Sequence, residues 1–312
     1  MRKYFFSLIF GALFSIPVFG CLNGESLRLK DGSLLYEDYE GFVPYGHQFG
    51  DNEELMKILV SLEKNYKETG KIEYLSDKGL VLIIQGKYQE AIELYKKIEK
   101  LQPNRYSTAS NLGTAYELIG NNSEALKWIE RAVKINPESH FHSEWIHVNI
   151  LKAKIKREKN ITSKFLIEHD FGNGKYPVSD LDKAELFKLK EMVYYQLNER
   201  VSFVKPKDKI VAQLLFDLGN ISYLSGEKEE ALETYKIAKE YGFNLPVLEE
   251  RMKLHSSPTV DNLKRNATGE IKNQTERIRK TYLIGMFVSV FALIFSGLIV
   301  LTFRKKISLM IK

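Results

Sequence analysis

A single cysteine, Cys21, in 312 residues leaves no partner for an intrachain disulfide and no thiolate set for a zinc site. Stability must come from burial. Proline (8) and glycine (20) are too few for a collagen-like or wholly low-complexity chain, and 44% hydrophobic with 28% charged residues is the composition of a chain that folds. No Gly-rich phosphate loop, no serine elbow and no HExxH stands anywhere in it, so the common signatures of nucleotide, acyl-transfer and zinc-protease chemistry are missing.

Charge of one sign is also scarcer than the net +6 suggests. Arg2, Lys3, Arg304, Lys305, Lys306 and Lys312 sit at the two ends; without those six, 40 bases face 40 acids. A neutral interior lacks the field that phosphate binding needs, which argues against nucleic acid. Basic flanks beside apolar runs are instead what membrane topology uses.

Both ends carry such runs. Arg2-Lys3 followed by the apolar stretch Tyr4–Gly20 has the form of a secretory signal over residues 1–20. Val18-Phe19-Gly20-Cys21 is similar to a lipoprotein box, although bulky Phe19 departs from it; lipidation of Cys21 and ordinary cleavage near Gly20 both remain open. Residues 282–303, Tyr282 to Phe303, hold no charge. As a helix they extend about 33 Å, enough for the roughly 30 Å hydrocarbon core. The basic tail 304–312 then places the C-terminus in the cytoplasm and the interior on the other side, periplasmic or extracellular. Lys264, Arg265, Lys272, Arg277, Arg279 and Lys280 before the span oppose this orientation, and a cytosolic, tail-anchored arrangement is the alternative. Gly285, Ser289, Ala292 and Ser296 put small residues on one face of the span, which suits homo-association; the other reading is that this face meets lipid.

The middle of the chain repeats at 34 residues: Gly79, Gly86, Ala91 and Pro103 recur as Gly113, Gly120, Ala125 and Pro137. Each unit reads as a helical hairpin, with the first glycine at the crossing, the second in the turn, the alanine in the crossing and the proline past the second helix. Gly219, Gly226 and Ala231 repeat the spacing once more, with Phe243 where the proline would stand. These residues resemble the tetratricopeptide repeat family. The expected fold is all-α: a tetratricopeptide-like α-solenoid over 52–255, clear at 70–103, 104–137 and 212–245 and degenerate over 138–211, with one C-terminal transmembrane helix.

Around the repeats, Leu55, Ile58, Leu59, Leu62 and Tyr66 share a face of a helix that would cap the first hairpin. Residues 21–51, rich in aromatics and glycine, would pack irregularly or wrap the array. His142 to Glu158 reads as one helix, Asp170 to Pro177 as a turn-rich insertion, and Ser179 as the cap of the helix carrying Leu186, Leu189 and Met192. Residues 256–281 read as a polar stalk.

Two readings of the chemistry follow. The resemblance implies a concave face that binds protein or peptide. Where relatives of the chaperone-binding type hold a carboxylate, this chain has Ser76, Leu80, Asn111, Phe141 and Trp145, and only Asn111 fits. A groove with Ser110, Asn111, Thr114, Glu117, His142 and Trp145 would instead offer mixed polar and aromatic contacts. The second reading is a metal-dependent hydrolase on His142, Glu144 and His147, whose spacing is poor: five residues separate the histidines, about 140° around a helix. The first reading carries the expectation: a scaffold in the assembly of a protein complex, with no enzymatic activity, no metal and no cofactor.

Overall fold

The computed structural model describes residues 26–38, 41–158 and 161–254. The chain divides into two compact units, Met1–Met252 and Lys253–Lys312. The second lies almost wholly outside the described residues, as do the expected signal, Cys21, the stalk and residues 282–303. Among the described residues no helix is long and apolar enough to cross a membrane.

The first unit opens with a two-stranded antiparallel hairpin, β1 (Ser26–Arg28) and β2 (Leu34–Glu37), with Tyr36 bridging on to Phe49. This corrects the all-α expectation: Leu27 pairs with Tyr36 and Arg28 with Leu34 across a turn at Asp31-Gly32, where Asp31 accepts from the Ser33 amide. Helix α1 (Asn52–Thr69) follows behind an Asp51/Glu54 capping box and buries Leu55, Leu59 and Leu62.

The hairpins then come in register. Helices α2 (Ile72–Ile84) and α3 (Tyr88–Leu101) are followed by α4 (Tyr106–Leu118) and α5 (Asn122–Ile135), each boundary displaced by 34 residues. Helices α10 (Lys209–Leu224) and α11 (Lys228–Tyr241) form the third hairpin, and α12 (Pro246–Lys253) closes the series. The crossing shows why glycine is required there. A Cβ on Gly79 would lie 2.5 Å from the ring of Tyr95, and one on Gly219 would lie 2.4 Å from the ring of Tyr235. At Gly113 the facing side chain is Ile129, 2.4 Å from the same position. Ala91, Ala125 and Ala231 are wholly buried in these crossings. Gly86 turns the first hairpin at a φ of +74°, a left-handed conformation costly for other residues.

Between α5 and α10 the period breaks. After Pro137 the chain makes a four-residue turn, α6 (Ser139–His142), with His140, Phe141 and His142 all at positive φ. The helix anticipated from His142 therefore starts at Glu144, as α7 (Glu144–Lys156), which packs on α5 as a first helix of a repeat would. Its partner is cut to one short piece, α8 (Ser163–Ile167), and a loop leads to the 21-residue α9 (Lys183–Phe203). The cap of α9 is Asp182, in a box with Glu185, rather than Ser179, which hydrogen-bonds His169 and the Leu181 amide instead. The turn-rich stretch beginning at Asp170 is held from within by Arg251, fully buried, which donates to the carbonyls of Phe171, Gly172 and Gly174 and to Asn220.

Replacing Gly79 by Ala is expected to lower stability by about 1–3 kcal/mol, because the buried Tyr95 ring must shift, despite the helix-propensity gain of alanine. Gly219→Ala should behave alike. Thermal unfolding of the two variants measures it, and a rise in melting temperature would show that the crossing tolerates a methyl group.

Candidate functional site

Helices α2, α4, α7 and α9 turn one face toward the N-terminal segment, and between them lies a cavity of about 550 Å³. Its apolar walls come from Leu80, Ile83 and Ile84 on α2, Leu118 at the end of α4, Phe203 and Val204 at the end of α9, and Leu27, Leu35 and Phe49 from the N-terminal segment. Its polar wall comes from the body of α4 (Tyr106 to Glu117), from His140, Glu144, His147 and Lys154, and from Tyr195, Gln196, Glu199 and Arg200 on α9.

Glu117 organises that wall. Its carboxylate accepts from Arg200 and Lys154 at 2.7 Å each and pairs with His147 Nε2 at 2.7 Å. Burial pushes the carboxyl pKa upward, but Arg200, His147 and Lys154 outweigh it and hold the group well below its ordinary range. Glu144 stands beside it, paired with His140 Nδ1 at 2.6 Å and accepting from the Tyr106 hydroxyl at 2.9 Å. Burial again opposes ionisation there, and His140 and His147 prevail, so Glu144 also titrates below its ordinary value. Burial and Arg200 both press the His147 pKa down; Glu117 and Glu144 raise it above the usual imidazole value.

The left-handed turn explains the choice of histidine. It swings His140 inward, stacked on Tyr195 with ring centroids 4.5 Å apart, and leaves Phe141 and His142 exposed. The trio His142, Glu144 and His147 is thus not brought together, and His140 holds the place beside Glu144. Among the described residues no group of three or more His, Cys, Asp and Glu side chains is arranged to hold a metal ion. Of the six residues proposed for the groove, Ser110, Asn111, Thr114 and Glu117 line the cavity; Trp145 packs half-buried against the apolar cluster that includes Ile146, Ile150 and Leu197, and His142 faces outward. Asn111 donates to the Tyr95 hydroxyl at 2.7 Å, so its amide also ties α4 to α3.

The N-terminal segment closes the cavity along α9. The Gly46 amide donates to Asn198 Oδ1 at 2.9 Å and the His47 amide to Ser202 Oγ at 2.8 Å. The His47 ring lies between Asp38 (2.9 Å) and Glu199 (3.0 Å) and stacks on Tyr36. Burial lowers its pKa, and the two carboxylates more than reverse this. A buried Lys190, paired with Glu227 and Glu230 and set 3.9 Å from the ring centroid of Phe42, holds the same segment further along. Sequence reasoning missed His47, Glu199 and Arg200, because nothing local links His47 to Glu199, 152 residues away, or Arg200 to Glu117, 83 residues away. The Glu144/His147 spacing and the groove residues Ser110, Asn111, Thr114 and Glu117 were the visible traces of the polar wall.

Comparison with known proteins adds little to this geometry. The family described as "Regulator of microtubule dynamics protein 1-3" matches residues 83–154, well short of half the chain. No curated protein matches. Among solved structures, MamA residues 41-end from Desulfovibrio magneticus RS-1 is 17% identical, with a TM-score of 0.33 over 60% of this chain and 85% of that one. A tetratricopeptide repeat protein from Parabacteroides merdae ATCC 43184 is 18% identical, with a TM-score of 0.29 over 66% and 94%. Those scores are too low to carry an argument. The chain's own boundaries, displaced by 34 residues with the crossings intact, define a helical-repeat protein of the tetratricopeptide type.

The titrating groups set a pH profile. Glu117 and Glu144, with lowered values, stabilise the fold fully above the unfolded glutamate range and lose that contribution as pH falls from there through their lowered folded values. His47 and His147, with raised values, contribute fully below the ordinary imidazole pKa and lose the contribution as pH rises through their folded values. Buried Asp217, pushed up to about 7 mainly by desolvation, adds a cost that grows between about pH 4 and 7. The melting temperature should therefore peak in mildly acidic solution and fall on the alkaline side. Asp217→Asn should recover up to a few kcal/mol at pH 8 and little at pH 4; equal effects at both pH values would contradict the assignment.

Proposed function

We propose that the chain is a non-enzymatic scaffold that takes a protein or peptide segment on the inner face of its helical repeats and holds it in an assembly. The observation that supports this reading is the cavity beside α2, α4 and α9. There Ser110, Asn111 and Thr114 present hydroxyl and amide groups next to an aliphatic wall, and the acids and histidines around them are engaged with one another rather than in a nucleophile–base pair. In this reading residues 282–303 anchor the protein, the repeats lie outside the cytoplasm, and the face of Gly285, Ser289, Ala292 and Ser296 pairs two copies. The support for these three points is the apolar run, the basic ends and the small-residue spacing.

A photo-crosslinking amino acid at Thr114 of the membrane-bound chain should capture a defined partner. Asn111→Arg should cut that capture about tenfold or more, as loss of a central contact does. A crosslinker at outward-facing His142 should capture far less. Equal capture from both positions would place the partner elsewhere. For the orientation, a reporter active only in the cytoplasm should work when fused after Lys312 and fail when fused after Ser256; the reverse pattern would put the repeats in the cytosol.

A further inference from the structure

The cavity has a chemical character of its own, apart from any partner on its rim. At about 550 Å³ it falls within the ~300–1,000 Å³ of sites that enclose a small molecule. One side is aliphatic and aromatic, with Leu80, Ile83 and Ile84 on α2 facing Leu35, Phe49 and Phe203. The other side is rich in ions, yet each acid and base lining it already has its counter-charge within the site. Glu117 engages Arg200, Lys154 and His147; Glu144 engages His140; Glu199 engages His47.

That pairing constrains the occupant. An ammonium head group entering here would add a cation to a wall where three bases already share Glu117, and a carboxylate would have to compete with Glu117, Glu144 and Glu199 for their partners, so either would give up its hydration for contacts that are already made. A fully apolar ligand would strip water from Ser107, Asn111 and Thr114 and return no hydrogen bonds. What fits is an apolar chain joined to an uncharged, hydroxyl-bearing head. Each methylene of the chain that leaves water on the α2 side strengthens binding by about fourfold.

We propose that the cavity is a binding site for a neutral amphiphile, an alkyl chain with an uncharged polyol head, seated with its chain against α2 and its head against α4. This site goes beyond the scaffold reading and stands whether or not a protein partner docks on the rim. The test uses the full chain in lipid nanodiscs and a monoacylglycerol carrying a diazirine on its chain. Crosslinks should fall on peptides from 72–84 and 106–118. Monolauroylglycerol should compete at concentrations about tenfold or more below those needed for dodecanoate or dodecylammonium, which share its chain and differ in head charge.

Thr114→Trp and Ile84→Trp, both at partly exposed positions, should fill the space and reduce labelling severalfold. Circular dichroism and melting temperature identify which variant keeps the fold, and that one decides. Labelling confined to 282–303, or equal competition by all three head groups, overturns the proposal. Competition by an end-capped, uncharged apolar pentapeptide but not by monolauroylglycerol also overturns it while leaving the peptide-binding reading intact. Loss of partner capture with amphiphile binding unchanged would remove the scaffold reading alone.

Discussion

One buried carboxylate, Glu117, sets the arrangement around the cavity. It sits near the end of α4, and side chains of α7 (His147, Lys154) and α9 (Arg200) converge on it. An ionised group so deeply placed is tolerable only because three cationic partners meet it, and each of those partners is tolerable only because of the carboxylate. The α4, α7 and α9 faces are consequently fixed together at the polar wall. Removing one member leaves the others uncompensated, so this pairing is better understood as specifying a unique arrangement than as adding net stability.

The apolar half of the structure follows a different rule. There the hairpins repeat because a ring or an isoleucine must reach the backbone of the facing helix, and glycine is the one residue that leaves room. Tyr95 and Tyr235 exploit the approach further. Their hydroxyls, deep in the crossings, find the Ser76 carbonyl and Asn220 at 2.7 and 2.8 Å, so a large aromatic is buried without stranding its polar end. The same device fastens Arg251, whose guanidinium reaches Asn220 and the carbonyls of the loop after Asp170. A hairpin crossing and a surface loop are thereby joined through one asparagine.

The N-terminal segment gives the cavity its character. Helical repeats alone would present an open face; here β1, β2 and residues 41–50 lie across it, tied to α9 through Gly46, His47 and Asn198 and to α11 through the Phe42 amide and Glu230. Burial of His47 between two carboxylates makes this attachment ionic as well as apolar. The polar groups the repeats turn inward are thus partly covered, and an inner face becomes a half-open chamber with one aliphatic and one ion-paired side.

The repeats were legible because their determinants are local. A glycine that must accept a neighbour's ring, a glycine that must turn, and a buried alanine recur at fixed spacing, and helix α1 announced itself through Leu55, Leu59 and Leu62 on one face. The four residues Ser110, Asn111, Thr114 and Glu117 were legible for the same reason, since the period assigns them to the inner face of a first helix. The left-handed turn at His140 was not, because three non-glycine residues with positive φ carry no composition signal and are held by their surroundings. Nor was the charge pairing of the polar wall. Arg200 lies 83 residues from Glu117 and Glu199 lies 152 from His47, and such pairs are selected only when packing brings them into one low-dielectric space. Local sterics wrote the hairpins into the sequence; the charge pairing, and with it the chamber, exists only once distant segments have excluded water together.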